Sequence, residues 1–221
     1  SSSRSIDPLT LCVSWNIGTN PEWSAYATVH RGLHYVFSNQ NEITKPSAKL
    51  KVMVSWDESH PEYVGVYHPD DPGIPSKINM RIMGKNTDST GYCKRFQILK
   101  TTFHELGHAS HDAATKKYDS CEKKVKESYA DAVAYYLMRD YYPNNPNTWP
   151  KNYSSAYPDY LQIGEALFCQ YGQKLTLKQL ESCVSKSNQW DDWKRNVREL
   201  NVLPAWMYHA QVGPRTGYNF D

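Results

Sequence analysis

Two histidines four residues apart constrain the fold of this chain more than any other feature of its sequence. His104 and His108 stand in the segment HELGH, which continues an apolar repeat of helical period that includes Leu99 and Phe103. In an α-helix, residues four apart lie on one face, one above the other, so that their side chains meet. The periodicity therefore predicts a helix over about residues 95–113 with both imidazole rings on the same face.

The same segment carries the groups that a catalytic zinc site needs. Two neutral imidazoles one turn apart can occupy two corners of a tetrahedral zinc site. Glu105 lies about 100° further round the helix, too far to be a third ligand but close enough to reach a water held by the metal. Gly107 lowers helix propensity, and a purely structural helix would gain from alanine there. These features favour an active-site helix over a surface helix with incidental histidines.

A catalytic zinc ion requires a third protein ligand and one open position. A third histidine six residues after the second is excluded, because position 114 is alanine. His111 lies at the rim of the same helix face, where one helix would have to supply every ligand, and we interpret it as a polar surface or substrate-side residue. A further candidate is Glu127, in the next predicted helix, and His111 stays open as an alternative ligand.

These residues together resemble the gluzincin group of metallopeptidases, to which thermolysin belongs. The match consists of HELGH, of Glu127 19 residues after His108, and of Asp131 one helical turn further on. The resemblance implies that His104, His108 and Glu127 bind one zinc ion and that Asp131 accepts a hydrogen bond from His104. It also implies a zincin-like α+β fold, with a mixed sheet packed on the active-site helix and an antiparallel edge strand that holds a peptide substrate.

The resemblance has clear bounds. Its specific motifs fall within residues 96–140, while residues 9–83 match only as an order of elements. Lys126 stands where thermolysin-like enzymes have an asparagine before the third ligand, so the match is to the group rather than to thermolysin's own family. Nothing beyond Asp140 extends it, and substrate specificity is therefore not implied.

Asp131 also has a physical interpretation of its own. A zinc-bound histidine usually donates its second ring N–H to a carboxylate or carbonyl, which fixes the tautomer and orientation of the ring. One turn beyond Glu127, Asp131 is well placed for this role. The alternative is that both acids belong to the solvated face of an amphipathic helix, whose opposite face supplies the core.

The expected function is zinc-dependent peptide hydrolysis, with Glu105 as general base for a zinc-activated water. In gluzincins a downstream Tyr or His stabilises the oxyanion. This chain offers several candidates for that role: Tyr153, Tyr157, Tyr160, Tyr208 and His209. Two alternatives stay open, an inactive zinc-binding or interaction module and a zinc hydrolase of a non-peptide amide. The intact Glu105 argues against the first, because a module that only binds metal needs no base there.

The rest of the chain predicts strands first and helices afterwards. Short or alternating apolar runs predict strands near residues 9–15, 50–56, 63–67 and 78–82. Periodicity predicts further helices near residues 21–38, 122–140, 157–172, 176 onward and 188–201. We expect a capping box at Thr176 and Gln179, and Asn188 as the cap of the last helix. Residues 1–221 are predicted to form one α+β domain, with a sheet-containing part at about 6–115 and a helical part at about 116–221.

Charge and hydropathy exclude two classes of partner. The 25 Lys and Arg residues nearly balance 23 Asp and Glu, and no run of like charge stands out, so nucleic acid is not expected as a partner. No apolar stretch approaches the ~20 residues of a membrane span. Residues 1–5 lack the apolar region of a signal peptide, and 17 Tyr and 7 Trp among many Asn, Ser and Pro favour an exported protein.

Five cysteines leave the redox compartment open. Cys93 with Cys121, or Cys169 with Cys183, would form a disulfide in an oxidising compartment and leave Cys12 over. The alternative is that all five are reduced and mostly buried.

Overall fold

The structure, a computed structural model, describes residues 4–6, 21–39, 42–46, 50–55, 65–69, 75–81, 95–115, 117–141 and 176–200. In chain order the strands of this part are β1 (Arg4–Ile6), β2 (Lys51–Ser55), β3 (Gly65–His68) and β4 (Lys77–Arg81). Its helices are α1 (Pro21–Asn39), α2 (Arg95–Ala114), α3 (Lys123–Tyr141), α4 (Leu177–Val184) and α5 (Trp190–Glu199). This mixture of helices and strands is compatible with the predicted α+β class.

The strands form one mixed sheet in the order β1-β2-β4-β3. β2 and β4 run parallel, while β1 pairs antiparallel with β2 and β3 pairs antiparallel with β4. Because neighbouring residues of a strand point to opposite faces, this register divides the sheet into a buried and a wetter face. Val52 and Ile78 are paired and fully buried, whereas Lys51 is exposed and Asn79 is partly exposed.

The chain divides into two compact units, each with its own core. The first contains residues Ser1–Asn41 and Lys45–Ala109, and so includes the sheet, α1 and most of α2. There Tyr26 on α1 donates a hydrogen bond to the carbonyl of Val54 (2.9 Å). The rings of Tyr35 and Phe103 lie 5.9 Å apart, which brings α1 onto α2.

The second unit contains Glu42–Thr44 and Ser110–Asp221, and so includes α3, α4 and α5. Trp193, fully buried, donates its indole N–H to Ser128 Oγ (3.0 Å) and joins α5 to α3. The Glu181 carboxylate on α4 accepts hydrogen bonds from the backbone N–H (2.6 Å) and hydroxyl (2.9 Å) of Thr44. It also accepts one from the Ser110 hydroxyl (3.2 Å), so one side chain joins three segments of this unit.

Most predicted elements in the described residues are confirmed. The helices predicted at 21–38, 95–113 and 122–140 end within a residue or two of α1, α2 and α3, and the strands at 50–56 and 78–82 contain most of β2 and β4. The strand predicted at 63–67 overlaps β3, which ends one residue later, at His68. The predicted strand at 9–15 and helix at 157–172 lie outside the described residues, and β1 was not predicted.

The two caps differ in outcome. Thr176 caps α4 in a capping box with Gln179, as predicted. Asn188 is not the cap of α5, because that place belongs to Gln189, whose side chain makes no capping hydrogen bond. The Glu122 carboxylate accepts a hydrogen bond from the backbone N–H of Trp190 instead (2.8 Å).

Two further sequence expectations concern partners and thiols. In the described ranges no helix is long and apolar enough to cross a membrane. Cys121 and Cys183 are free and buried, so neither disulfide considered from the sequence is present in the structure. The Cys121 thiol donates a hydrogen bond to the carbonyl of Ser187, and the Cys183 thiol donates one to the carbonyl of Asn196. The sulfur–oxygen distance is 3.3 Å in both.

Candidate metal centre

The two motif histidines face each other along α2. Their Nε2 atoms lie 3.2 Å apart, and the ring planes are nearly perpendicular, at 80°. Two nitrogens bound to one tetrahedral zinc ion at ordinary bond lengths stand about 3.3 Å apart. His104 and His108 thus already have the separation of two ligands of the same ion.

Glu127 of α3 completes a set of three possible ligands. His104, His108 and Glu127 each offer one ligand atom, and these atoms all lie within 4.8 Å of one another. Two imidazoles and one carboxylate suit zinc and leave its fourth position open for water. The residues therefore fit a catalytic zinc ion.

Burial differs between the members of the cluster. His108 is 6% exposed, whereas His104 and Glu127 are partly exposed. The neighbours of the buried His108 hold its ring in place. The partial exposure of His104 and Glu127 leaves these candidate ligands accessible to a small molecule. Such an arrangement suits a site that exchanges ligands rather than a closed structural site.

Glu105 lies beside this cluster on α2 and is 5% exposed. Strand β3 passes close to it: a methyl group at Gly65 would stand 2.9 Å from both Cγ and Oε1 of Glu105 and 2.6 Å from Cγ2 of Thr101. The carboxylate therefore lies against a strand rather than in open solvent. A general base needs this kind of fixed position.

Tyr67, two residues after Gly65 on β3, also contacts the motif helix. Its ring is nearly parallel to that of His108, with centroids 6.5 Å apart and planes inclined by 10°. Gly65 and Tyr67 share a strand face because side chains alternate with a period of two. Sequence reasoning missed both residues. A glycine inside a strand pattern, which often marks a close approach of another group, was the available signal.

Asp131 is 2% exposed, and Glu127, one turn before it on α3, is partly exposed. The solvated-face interpretation therefore fails for Asp131, since a carboxylate is seldom buried unless other groups compensate its charge. Its hydrogen bond with His104 stays a prediction.

The expectation for His111 is wrong. It was interpreted as a polar surface or substrate-side residue, yet it is 0% exposed. Its ring packs edge-on against Tyr118 (5.0 Å between centroids) and Tyr129 (5.4 Å). Two aromatic rings therefore line its buried position, and it is not a member of the ligand cluster found among the described residues.

The candidate oxyanion stabilisers lie outside the described residues: Tyr153, Tyr157, Tyr160, Tyr208 and His209.

Comparison with known proteins found no matching family model, curated protein or solved structure. Family membership is therefore not shown, and any function must be argued from the residues of the site.

Proposed function

We propose that this protein is a zinc-dependent peptidase of the gluzincin type with a zincin-like fold. The observation that carries the proposal is the cluster of His104, His108 and Glu127, with Glu105 next to it on α2. The donor set suits zinc, and the 3.2 Å separation of the two imidazole nitrogens equals that of two ligands on one ion to within about 0.1 Å. A peptide or protein is the proposed substrate.

In this proposal His104, His108 and Glu127 hold the ion. When bound, zinc would supply Lewis-acid chemistry there: it would lower the pKa of a water to about 7 and polarise a carbonyl. Asp131 orients His104 by accepting a hydrogen bond from its second ring N–H, which keeps the nitrogen facing the metal unprotonated. Each of these roles uses a residue on α2 or α3.

Glu105 has a different role from the ligands, because it lies off their helix face. Its carboxylate accepts the proton of the attacking water, which adds to the carbonyl carbon of the substrate. The protonated carboxyl then donates that proton to the leaving amine as the carbon–nitrogen bond breaks. One residue therefore acts first as base and then as acid, and the proton balance closes within the reaction.

The test compares wild type with Glu105→Gln, both loaded with one equivalent of zinc. New amino termini are counted after incubation with a mixed synthetic peptide library. We expect Glu105→Gln to keep its zinc and its circular dichroism spectrum and to lose turnover by about 10²–10⁴-fold, because amide nitrogen and oxygen cannot take the proton. Glu199→Gln, at the exposed end of α5, is the matched control and should retain full activity.

Near-normal hydrolysis by Glu105→Gln would reject the assigned base. A wild type that binds zinc and cleaves no peptide in the library would favour the inactive binding module instead.

A further inference from the structure

Gly65 is a residue of β3 at which an added Cβ atom would stand against the proposed general base, Glu105. It is opposite the fully buried Met80 in the β3–β4 pair, so the strand position is fixed by its partner. In the described part of the sheet β3 stands at the end of the strand order. Gly65 does not adopt a left-handed φ, so conformational freedom does not explain a glycine here, and the reason must be space.

The available space is smaller than one methyl group. A Cβ atom at position 65 would lie 2.6 Å from Thr101 Cγ2, 2.9 Å from Glu105 Cγ and 2.9 Å from Glu105 Oε1. Optimal contacts between carbon atoms are about 3.5–4.0 Å. Any side chain at this position therefore forces a displacement of about 0.6 Å or more at two neighbouring groups.

The three groups differ in how easily they can move. β3 is held by its pairing with β4. Thr101 is β-branched, and its χ1 angle is stiff in a helix. Glu105 has three rotatable side-chain bonds, so its carboxylate is the group that gives way. A larger residue at position 65 would thus change the orientation of the carboxylate, and it would also press on Thr101, whose Cγ2 atom is the nearest of the three contacts.

We propose that Gly65 is a positioning residue for Glu105, because its missing side chain lets β3 lie against α2 and hold the carboxylate in one orientation. The inference rests on the proposed function, in which that carboxylate takes a proton from water. A general base must stand within about 2.6–3.2 Å of the proton-bearing atom. A misplacement of about 1 Å costs up to about 10²-fold in rate.

The experiment compares Gly65→Ala with Gly32→Ala as a matched control. Gly32 lies on α1, and a methyl group there would also press on α2, at 3.0 Å from Leu99 Cδ1 and 3.0 Å from Thr102 Cγ2. Both variants add one methyl group between α2 and a neighbouring element, but only the first presses on Glu105. A loss that came from general crowding of α2 would therefore appear in both.

Kinetics are measured on one peptide selected from the mixed library. We expect Gly65→Ala to keep about one zinc per chain and an unchanged KM while kcat falls by about 10–100-fold. Gly32→Ala should stay within about threefold of wild type.

A second readout needs no substrate. Removing a nearby negative charge lowers the pKa of a water on a metal ion. In Co²⁺-loaded protein, the visible absorption changes as that water loses a proton. The pH midpoint of this change therefore depends on the position of the Glu105 carboxylate. We expect Glu105→Gln to move this midpoint downward, Gly65→Ala to move it away from the wild-type value, and Gly32→Ala to leave it where wild type has it.

The outcomes separate the two claims. If wild type is active and both alanine variants lose activity and shift the midpoint equally, Gly65 has no special role and the peptidase proposal stands. If wild type neither binds Co²⁺ nor cleaves any peptide, both are overturned.

Discussion

Asp131 is the residue whose burial changes its interpretation most. A solvated acid on α3 would tolerate substitution, but this one is buried on the same helix as Glu127. If it orients His104, then Asp131→Asn should lower zinc affinity about 10–100-fold while the chain stays folded, because asparagine has the same size. Competition with a zinc-binding dye measures the affinity. Asp140→Asn, at an exposed position of α3, should change nothing, and equal affinities for the two variants would remove Asp131 from the site.

The buried thiols give a prediction about pH. Burial raises the pKa of both Cys121 and Cys183 to about 11. At pH 8 only about one thousandth of each is thiolate, so we expect both to resist iodoacetamide in the native protein and to react once unfolded. Mass spectrometry of the alkylated peptides checks this, and rapid native labelling of either residue would contradict its burial.

The same groups set a direction for stability. A thiol whose pKa is raised by folding favours the native state at all pH values below its ordinary value, near 9. That contribution is lost as pH rises through the folded value of about 11. As pH rises between these two values, the free energy of unfolding should therefore fall more in wild type than in Cys121→Ala. Each protein is compared with its own stability at pH 7.

Sequence alone predicted the motif residues but not the residues that surround them. His104, Glu105 and His108 are identified by their spacing on one helix, which is a local property. The burial of His111 depends on rings from Tyr118 and from α3, and no spacing rule reports such a contact. Gly65 was equally hidden, because its role depends on a neighbour 40 residues away in the chain, Glu105.

At the scale of elements, the sequence predicted a helix cap correctly where the capping residues lie within one helical turn of each other. It did not do so where the start of a helix depends on a residue distant in the chain. The capping box at Thr176 is satisfied within four residues of sequence, so the sequence contains all of it. The start of α5 uses the carboxylate of Glu122, the residue just before α3. The backbone N–H of Glu122 in turn donates to the carbonyl of Asn188 (2.8 Å). This reciprocal pair replaced the cap predicted at Asn188.

The strands follow the same logic. β2 and β4 were predicted because their buried residues alternate or run together in sequence. β1 has only three residues, Arg4–Ile6, and it is a strand because it pairs with β2. Its register depends on the partner strand and not on its own pattern.

The pair between α3 and α5 predicts a loss of stability. Glu122→Ala leaves the N–H of Trp190 without its carboxylate acceptor, which should lower the free energy of unfolding by about 1–2 kcal/mol. Urea denaturation measures the change. Glu122→Gln retains an uncharged acceptor and should lose about half as much, and a Glu122→Ala variant as stable as wild type would contradict the contact.

At the scale of the whole molecule, each compact unit has an apolar core among its described residues. Val29, Leu33 and Ile78 are fully buried in the first unit, and Leu137 and Trp193 in the second. A chain of this length buries enough apolar surface to fold without a metal. Its secondary structure should therefore depend on these cores rather than on zinc.

Metal removal tests that separation. Dialysis against a chelator should abolish hydrolysis but leave the far-ultraviolet circular dichroism spectrum unchanged. The melting temperature should fall by a few degrees, since zinc binds only the folded chain. Readdition of zinc should restore activity, and unfolding on chelation would make the ion a structural one.

The proposed function depends most on Glu127, because it is the ligand that a second helix contributes. Two histidines from one helix do not complete a catalytic site, and the carboxylate is needed as the third ligand. The decisive measurement is the zinc content of purified Glu127→Ala after dialysis, beside His111→Leu, which keeps an apolar side chain between its tyrosines. We predict little bound zinc and no hydrolysis for Glu127→Ala, with about one zinc per chain for His111→Leu. Stoichiometric zinc in Glu127→Ala, with its loss in His111→Leu, would contradict the ligand set and the peptidase proposal with it.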